Sequence, residues 1–213
     1  ISKSSRICFV NDGSTDTTYE KIQKLCRDDK IFACVNLSRN RGHQNALLAG
    51  LMTAKEYADA VISMDADLQD DINVIEQFVD KFNSGCDIVY GVRRDRTTDT
   101  FFKKFTAQGF YKFMRLMGVD LVYNHADYRL MSKRALDGLS QFDEVNTFIR
   151  GIVPQIGFKT DIVEYARGKR EAGKSKYNFK KMISFAMEGI TSFSVRPIKL
   201  ALALGVISFI VSI

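Results

Sequence analysis

The sequence predicts an α/β protein: a mostly parallel sheet with helices on both faces, followed by a basic segment and an apolar C-terminal run. Three observations carry this. Short apolar runs of strand length alternate with longer segments that repeat at helical spacing. Three of the strands end in polar clusters, and the ends of parallel strands share one sheet edge, where α/β proteins bind ligands. The composition, 46% hydrophobic and 26% charged over 213 residues, suits one domain with a small appendage.

Taken in order, Arg6–Val10 is a strand that runs into Asn11-Asp12-Gly13-Ser14-Thr15-Asp16. Asp12-Gly13 suits a tight turn, and Thr15 or Asp16 can cap a helix over Thr17–Arg27. A carboxylate leaving a strand here can also face a ligand's donor groups; turn and cap chemistry explains it equally. Ile31–Leu37 is a second strand, followed by Ser38-Arg39-Asn40-Arg41-Gly42-His43-Gln44 and a helix over Gln44–Tyr57. Arg39 and Arg41, at a strand-to-helix crossing, suit phosphate and equally suit solvent. His43 fits a capping or stacking role better than that of a ligand or base.

The central stretch is Val61-Ile62-Ser63-Met64-Asp65-Ala66-Asp67. A buried strand that ends in two carboxylates places like charges together where desolvation is costly. A divalent cation carrying a diphosphate relieves both, since Mg²⁺ takes one or two protein carboxylates plus phosphate oxygens. Asp70 or Asp71 can cap the next helix, Ile72–Asn83, whose apolar positions Ile72, Ile75, Phe78, Val79 and Phe82 share a face. Asp87–Val92 is another strand, leaving into Arg93-Arg94-Asp95-Arg96. Thr98–Gly118, aromatic and basic, reads as a helix. Asn124-His125-Ala126-Asp127-Tyr128-Arg129 precedes a short apolar stretch, Glu144–Ile156 reads as a helix and Lys159–Tyr165 as a last strand.

Charge is unevenly placed. Residues 1–158 hold 21 Lys/Arg and 21 Asp/Glu, whereas 159–213 hold ten and four, which accounts for the whole net charge of +6. Two glycines among five cations in Arg167-Gly168-Lys169-Arg170-Glu171-Ala172-Gly173-Lys174-Ser175-Lys176 make a basic loop able to cradle phosphate. An amphipathic stretch, Phe179–Met187, then suits a bilayer interface. After Lys199 the chain carries no charge, so the expectation is the start of a transmembrane helix, with the preceding basic residues placing the domain on the cytoplasmic side. A basic segment that abuts an apolar run points to a membrane surface and away from nucleic acid. Cys8, Cys26, Cys34 and Cys86 are scattered and read as reduced core residues, with neither a disulfide framework nor a zinc site. The expected division is a catalytic domain over 1–165, a basic loop and juxtamembrane helix over 166–194, and the membrane segment over 195–213.

Several segments together resemble one family. Asn11-Asp12-Gly13-Ser14-Thr15-Asp16, Ser38-Arg39-Asn40-Arg41-Gly42-His43-Gln44, Asp65-Ala66-Asp67-Leu68-Gln69-Asp70, Tyr90-Gly91-Val92-Arg93, Ala126-Asp127-Tyr128-Arg129-Leu130 and Ala172-Gly173-Lys174-Ser175-Lys176-Tyr177 occur in this order in the polyprenyl-phosphate glycosyltransferases of glycosyltransferase family 2. These include dolichol-phosphate mannose synthases and bacterial bactoprenol glucosyltransferases. The resemblance implies a GT-A fold, a nucleotide sugar, Mg²⁺ or Mn²⁺, and a polyprenyl phosphate acceptor in a cell membrane. It implies that Asp12 and Asp65 bind the donor, with Arg39 beside them, that Asp67 holds the metal, and that Asp127 stands at the position of the proposed catalytic base. Arg129, Lys174 and Lys176 would meet phosphate. Bacterial-type motifs favour UDP-glucose or UDP-N-acetylglucosamine. Relatives open with one more strand, which this chain lacks, and carry two membrane helices, so the expectation is a fragment. A homo-oligomer is compatible with this reading. The alternatives are a membrane-tethered nucleotide-sugar-binding protein without turnover, and a processive polysaccharide synthase; the latter normally carries a Gln-x-x-Arg-Trp segment, and this chain has no tryptophan.

Overall fold

A computed structural model describes residues 4–94, 125–142, 149–166, 168 and 196–212. The elements follow the expected alternation. They are β1 (Ile7–Asn11), α1 (Thr18–Asp28), β2 (Phe32–Asn36), α2 (His43–Ala54), β3 (Ala60–Ser63), α3 (Ile75–Asn83), β4 (Ile88–Arg93), β5 (His125–Ser132), α4 (Lys133–Leu139), α5 (Ile149–Ile152), β6 (Thr160–Tyr165) and α6 (Arg196–Ser212). Single 3₁₀ turns, Ile72–Val74 and Val153–Ile156, precede α3 and follow α5.

The sheet departs from the mostly parallel expectation. β1 and β2 pair in parallel, Ile7 opposite Phe32. The other four strands run in the order β3-β5-β4-β6. β5 lies in their middle and is antiparallel to both β3 and β4, while β4 and β6 are parallel. The sequence assigns no element to 124–129, which stand just ahead of a short apolar stretch; the structure makes 125–129 part of a strand. Two ionised side chains, Asp127 and Arg129, interrupt the hydrophobic pattern that would otherwise mark a strand. They are tolerated inside because they neutralise each other.

Alternation along β5 divides the core. Tyr128 and Leu130 pack on one face with Phe78, Val89, Val163 and Tyr165. Met131 packs on the other with Leu51, Ile88, Leu136, Ile149 and Ile152. α2 touches both β1 and β3, so it spans the two strand groups. The close approach needs Gly50, where an added Cβ would lie 2.5 Å from Val10 Cγ2. Asp71, one of the two expected caps, accepts from the Asn73 amide at 2.9 Å and starts the turn before α3.

Two further expectations change. Only Cys86 of the four cysteines is buried; Cys8 is exposed and all four are free thiols. α6 covers 17 residues, and among the described residues no helix is long and apolar enough to cross a membrane. Its apolar side chains stand open, from Ile198 to Val211. The expected helix over 98–118, most of the loop and juxtamembrane helix over 166–194, and the start of the helix over 144–156 lie outside the described residues.

Candidate active site

The polar strand ends do meet. β1 leaves through Asp12, whose Oδ1 accepts from the Arg41 amide at 2.6 Å and whose Oδ2 accepts from the Gly42 amide at 3.0 Å. This ties the first strand end to the N-terminus of α2. Gly13 makes the crossing possible. It sits at φ +62°, and a Cβ there would come within 2.4 Å of the Arg39–Asn40 peptide. Arg39 is exposed beside this crossing.

Because α2 begins at His43, the anchored loop delivers that imidazole toward β5. His43 Nε2 lies 2.9 Å from Asp127 Oδ2. Antiparallel pairing sets the start of β5 beside the end of β3, with Ser63 opposite Arg129. The Ser63 hydroxyl donates to the Asp127 carbonyl at 2.5 Å. Asp65 and Asp67 follow directly, both half-buried. Asp67 Oδ1 accepts from the Gln69 amide at 3.2 Å. Burial pushes the Asp65 carboxyl above its usual range; His43 opposes this, while Asp127, Asp70 and Asp67 add to it.

Asp127 is 2% exposed and fully engaged. Oδ1 accepts from Arg129 Nη2 at 2.6 Å and from Arg150 Nε at 3.1 Å. Oδ2 accepts from Arg150 Nη2 at 2.8 Å as well as facing His43. Burial alone would raise its proton affinity, but the bonds from His43 and Arg150 and the two guanidinium charges overcome that and hold it far below the usual carboxylate range. The same bond raises the His43 pKa. Arg129 is fully buried, and its Nε and Nη1 have no hydrogen-bond partner among the described residues. Arg150 is 24% exposed along its side chain and His43 58%.

At the far side of the same edge, Tyr165 donates to the buried Asp70 at 2.5 Å, and Arg93 Nε donates to the Tyr165 hydroxyl at 3.2 Å. The Gly168 amide donates to the Gln69 carbonyl at 2.8 Å, which pins the beginning of the basic loop beside the Asp65–Asp67 turn. Lys174 and Lys176 lie outside the described residues. Asp12, Asp65, Asp67, Asp127 and Arg129 thus gather at one edge. The sequence does not point to Arg150, and it suggests a capping or stacking role for His43; in the structure both meet Asp127. The only trace of Arg150 in the sequence is a lone cation in an imperfect apolar stripe.

The site fits a divalent cation in one respect. Asp65 lies among three other carboxylates that disfavour its ionisation, and a cation would relieve this. No group of three or more His, Cys, Asp or Glu able to hold a metal occurs among the described residues. Asp65 and Asp67 are the carboxylates a cation would meet here; Mg²⁺ takes one or two protein carboxylates, with phosphate and water in its other positions.

Comparison with known proteins agrees with the geometry. Residues 2–139 match Glycosyl transferase family 2. The chain is 55% identical over 212 residues to the uncharacterized glycosyltransferase YkoT of Bacillus subtilis (strain 168), covering 100% of this chain and 63% of that protein. It is 41% identical over 202 residues to a prophage bactoprenol glucosyl transferase homolog of Escherichia coli (strain K12), covering 94% and 65%. It is 41% identical over 208 residues to a bactoprenol glucosyl transferase of Shigella phage SfV, covering 97% and 66%. The chain spans just under two thirds of the length of these relatives. In fold it is similar, at TM-score 0.50 and 15% identity over 87% of this chain and 66% of the other, to the glucosyl-3-phosphoglycerate synthase of Mycobacterium tuberculosis solved with Mn²⁺, UDP-glucose and phosphoglyceric acid. The motif order, the shared strand edge and the matched residues agree: the chain belongs to glycosyl transferase family 2.

Proposed function

We propose that this chain forms the catalytic part of an enzyme that transfers one sugar from a UDP-sugar to a polyprenyl phosphate at the cytoplasmic face of a cell membrane, with inversion at the anomeric carbon. The observation that carries this is the meeting of Asp12, His43, Asp65, Asp67 and Asp127 through the bonds of Asp12 to α2 and of His43 to Asp127. The relatives named as bactoprenol glucosyl transferases support the lipid acceptor and make glucose the first donor to try.

In this reading Asp12 and Asp65 receive the nucleoside, with Arg39 near its phosphates. Mg²⁺ or Mn²⁺ held at Asp67, with Asp65 alongside, would offset charge growing on the leaving diphosphate. The acceptor phosphate oxygen attacks the anomeric carbon opposite that leaving group. Two anionic substrates repel, so holding them in line is a large part of the catalysis. In this reading Lys174 and Lys176 serve that end, and Gly168 of the same segment is bonded to the Gln69 carbonyl. α6 and the basic residues ahead of it serve as the membrane attachment; 17 residues rise about 25 Å.

The test uses the protein in native membranes with undecaprenyl phosphate, Mn²⁺ or Mg²⁺, and labelled nucleotide sugars offered singly. Label is counted in the organic phase. The expected result is lipid-phase label with UDP-glucose that is lost with EDTA and with Asp67→Asn. UDP-sugar binding without lipid-phase label from any donor would overturn the transferase reading and leave a nucleotide-sugar-binding protein.

A further inference from the structure

The turn that carries Asp65 and Asp67 is fastened to the core by two tyrosines. Leu68 follows Asp67 at φ +57°, the left-handed region that a residue with a Cβ enters only at a cost. Its side chain is 67% exposed, so side-chain packing does not account for the conformation. A backbone of this kind persists where its surroundings over-determine it. Within the turn, the Gln69 amide donates to Asp67 Oδ1 at 3.2 Å. Beyond it, Tyr165 at the end of β6 donates through its hydroxyl to Asp70 Oδ1 at 2.5 Å, and Tyr128 of β5 donates to the Asp71 carbonyl at 3.0 Å. Two consecutive residues shortly after Leu68 are thus each bonded to a core tyrosine.

The two rings form one platform. Both are buried, and they meet edge to face with centroids 5.3 Å apart, while Phe78 of α3 packs on Tyr128 at 4.8 Å. Gly91 of β4 gives them room: a Cβ there would stand 3.2 Å from both Tyr128 Cδ1 and Tyr165 Cε1, and 2.7 Å from the Tyr128 carbonyl oxygen. This accounts for the glycine of Tyr90-Gly91-Val92-Arg93. Arg93 Nε donates to the Tyr165 oxygen at 3.2 Å, which leaves the hydroxyl proton for Asp70. The Asp70 side chain is 1% exposed, and its Oδ2 accepts no hydrogen bond from the described residues. Leaving one oxygen of a buried carboxylate unbonded is costly, and the cost falls three residues after Asp67.

Resting on the reading above, in which Asp67 holds a divalent cation, we propose that Tyr165 and Tyr128 are positioning residues for that cation: bonded to Asp70 and Asp71, they hold Leu68 left-handed and so aim the Asp67 carboxylate. They act through the turn and not on the cation itself. The platform is part of the folded core, so the carboxylates need little rearrangement to receive a metal.

The experiment titrates Mn²⁺ into the full chain, with and without UDP, and follows free Mn²⁺ by electron paramagnetic resonance; thermal unfolding is recorded without metal. Tyr165→Phe removes the hydroxyl and keeps the ring. It is expected to weaken Mn²⁺ binding by about five- to tenfold, the size of a lost hydrogen bond, with UDP binding in EDTA unchanged. Tyr128→Phe should weaken it less, because its partner is a neutral carbonyl. Asp70→Asn keeps an oxygen for Tyr165 and should lose less than Asp70→Ala. Equal losses from those two, with none from Tyr165→Phe, would mean that Asp70 acts by its charge alone and would overturn the positioning role. Wild-type Mn²⁺ affinity in Tyr165→Phe, whatever its unfolding temperature, would overturn it too. Absence of Mn²⁺ binding by the wild type would sink the metal at Asp67 and this proposal with it, whereas Mn²⁺ binding that depends on Tyr165 without any sugar transfer would support the proposal and sink only the transferase reading.

Discussion

Asp127 and Arg129 show how one buried pair sets both stability and chemistry. Asp127→Asn removes the counter-charge facing Arg129, which is fully buried. Breaking a buried pair from one side costs about 3–5 kcal/mol. Arg129→Met leaves Asp127 with Arg150 and His43, and methionine fills much of the same volume. Urea unfolding should therefore show a clearly larger loss for Asp127→Asn than for Arg129→Met; equal losses would refute the view that Asp127 is the hub. The pH dependence follows from the signs. The folded His43 pKa is raised by its bond to Asp127, so its contribution is complete below the ordinary value of 6.5 and is lost as pH rises through the raised value. The folded Asp127 pKa is depressed, so its contribution is present above the ordinary 3.8 and survives well into acid. Stability measured from pH 6 upward should decline in the wild type, and that part of the decline should vanish in His43→Gln. Asp127, Arg150 and Asp65 are the charges that act on this imidazole.

At the scale of elements, the crossing of β1 and β2 over the start of α2 is the part that aligns Asp12. Gly13 is confined twice, by its positive φ and by the Arg39–Asn40 peptide 2.4 Å from where a Cβ would stand. Gly85 also has positive φ, +89°, but nothing lies within 4 Å of its would-be Cβ. Gly85→Ala should then cost only the left-handed penalty, about 1–2 kcal/mol, with UDP affinity unchanged. Gly13→Ala should cost more and also weaken UDP binding, because the backbone that meets Asp12 must move. Thermal unfolding alongside UDP titration checks both; equal behaviour of the two variants would mean that the crossing does not position the site. The helices and parallel strands on either side were legible in the sequence, since Ile72–Phe82 and Ile88–Val92 carry unbroken local patterns. β5 was not, because Asp127 and Arg129 break the alternation that marks a strand until a second cation and a neighbouring strand are supplied.

For the whole molecule, the apolar side chains of α6 are exposed, whereas most other large apolar residues among those described are buried or half-buried. In the proposed membrane attachment, Val206 and Phe209 face lipid. The protein should sediment with anionic vesicles, and Val206→Lys with Phe209→Lys should leave it in the supernatant with UDP affinity intact; co-sedimentation of the double variant would argue against attachment through α6. The sequence by itself determined the alternation of strands and helices, the carboxylates at strand ends and the family, because these depend on residues near one another in the chain or on motif order. Only the tertiary structure decided which of those groups touch. His43 and Asp127 are 84 residues apart in sequence, and Arg150 meets Asp127 from a short helix with no motif of its own. Contacts over such separations arise from strand order and antiparallel pairing. Those are settled by packing the whole core, and no local pattern of residues encodes them.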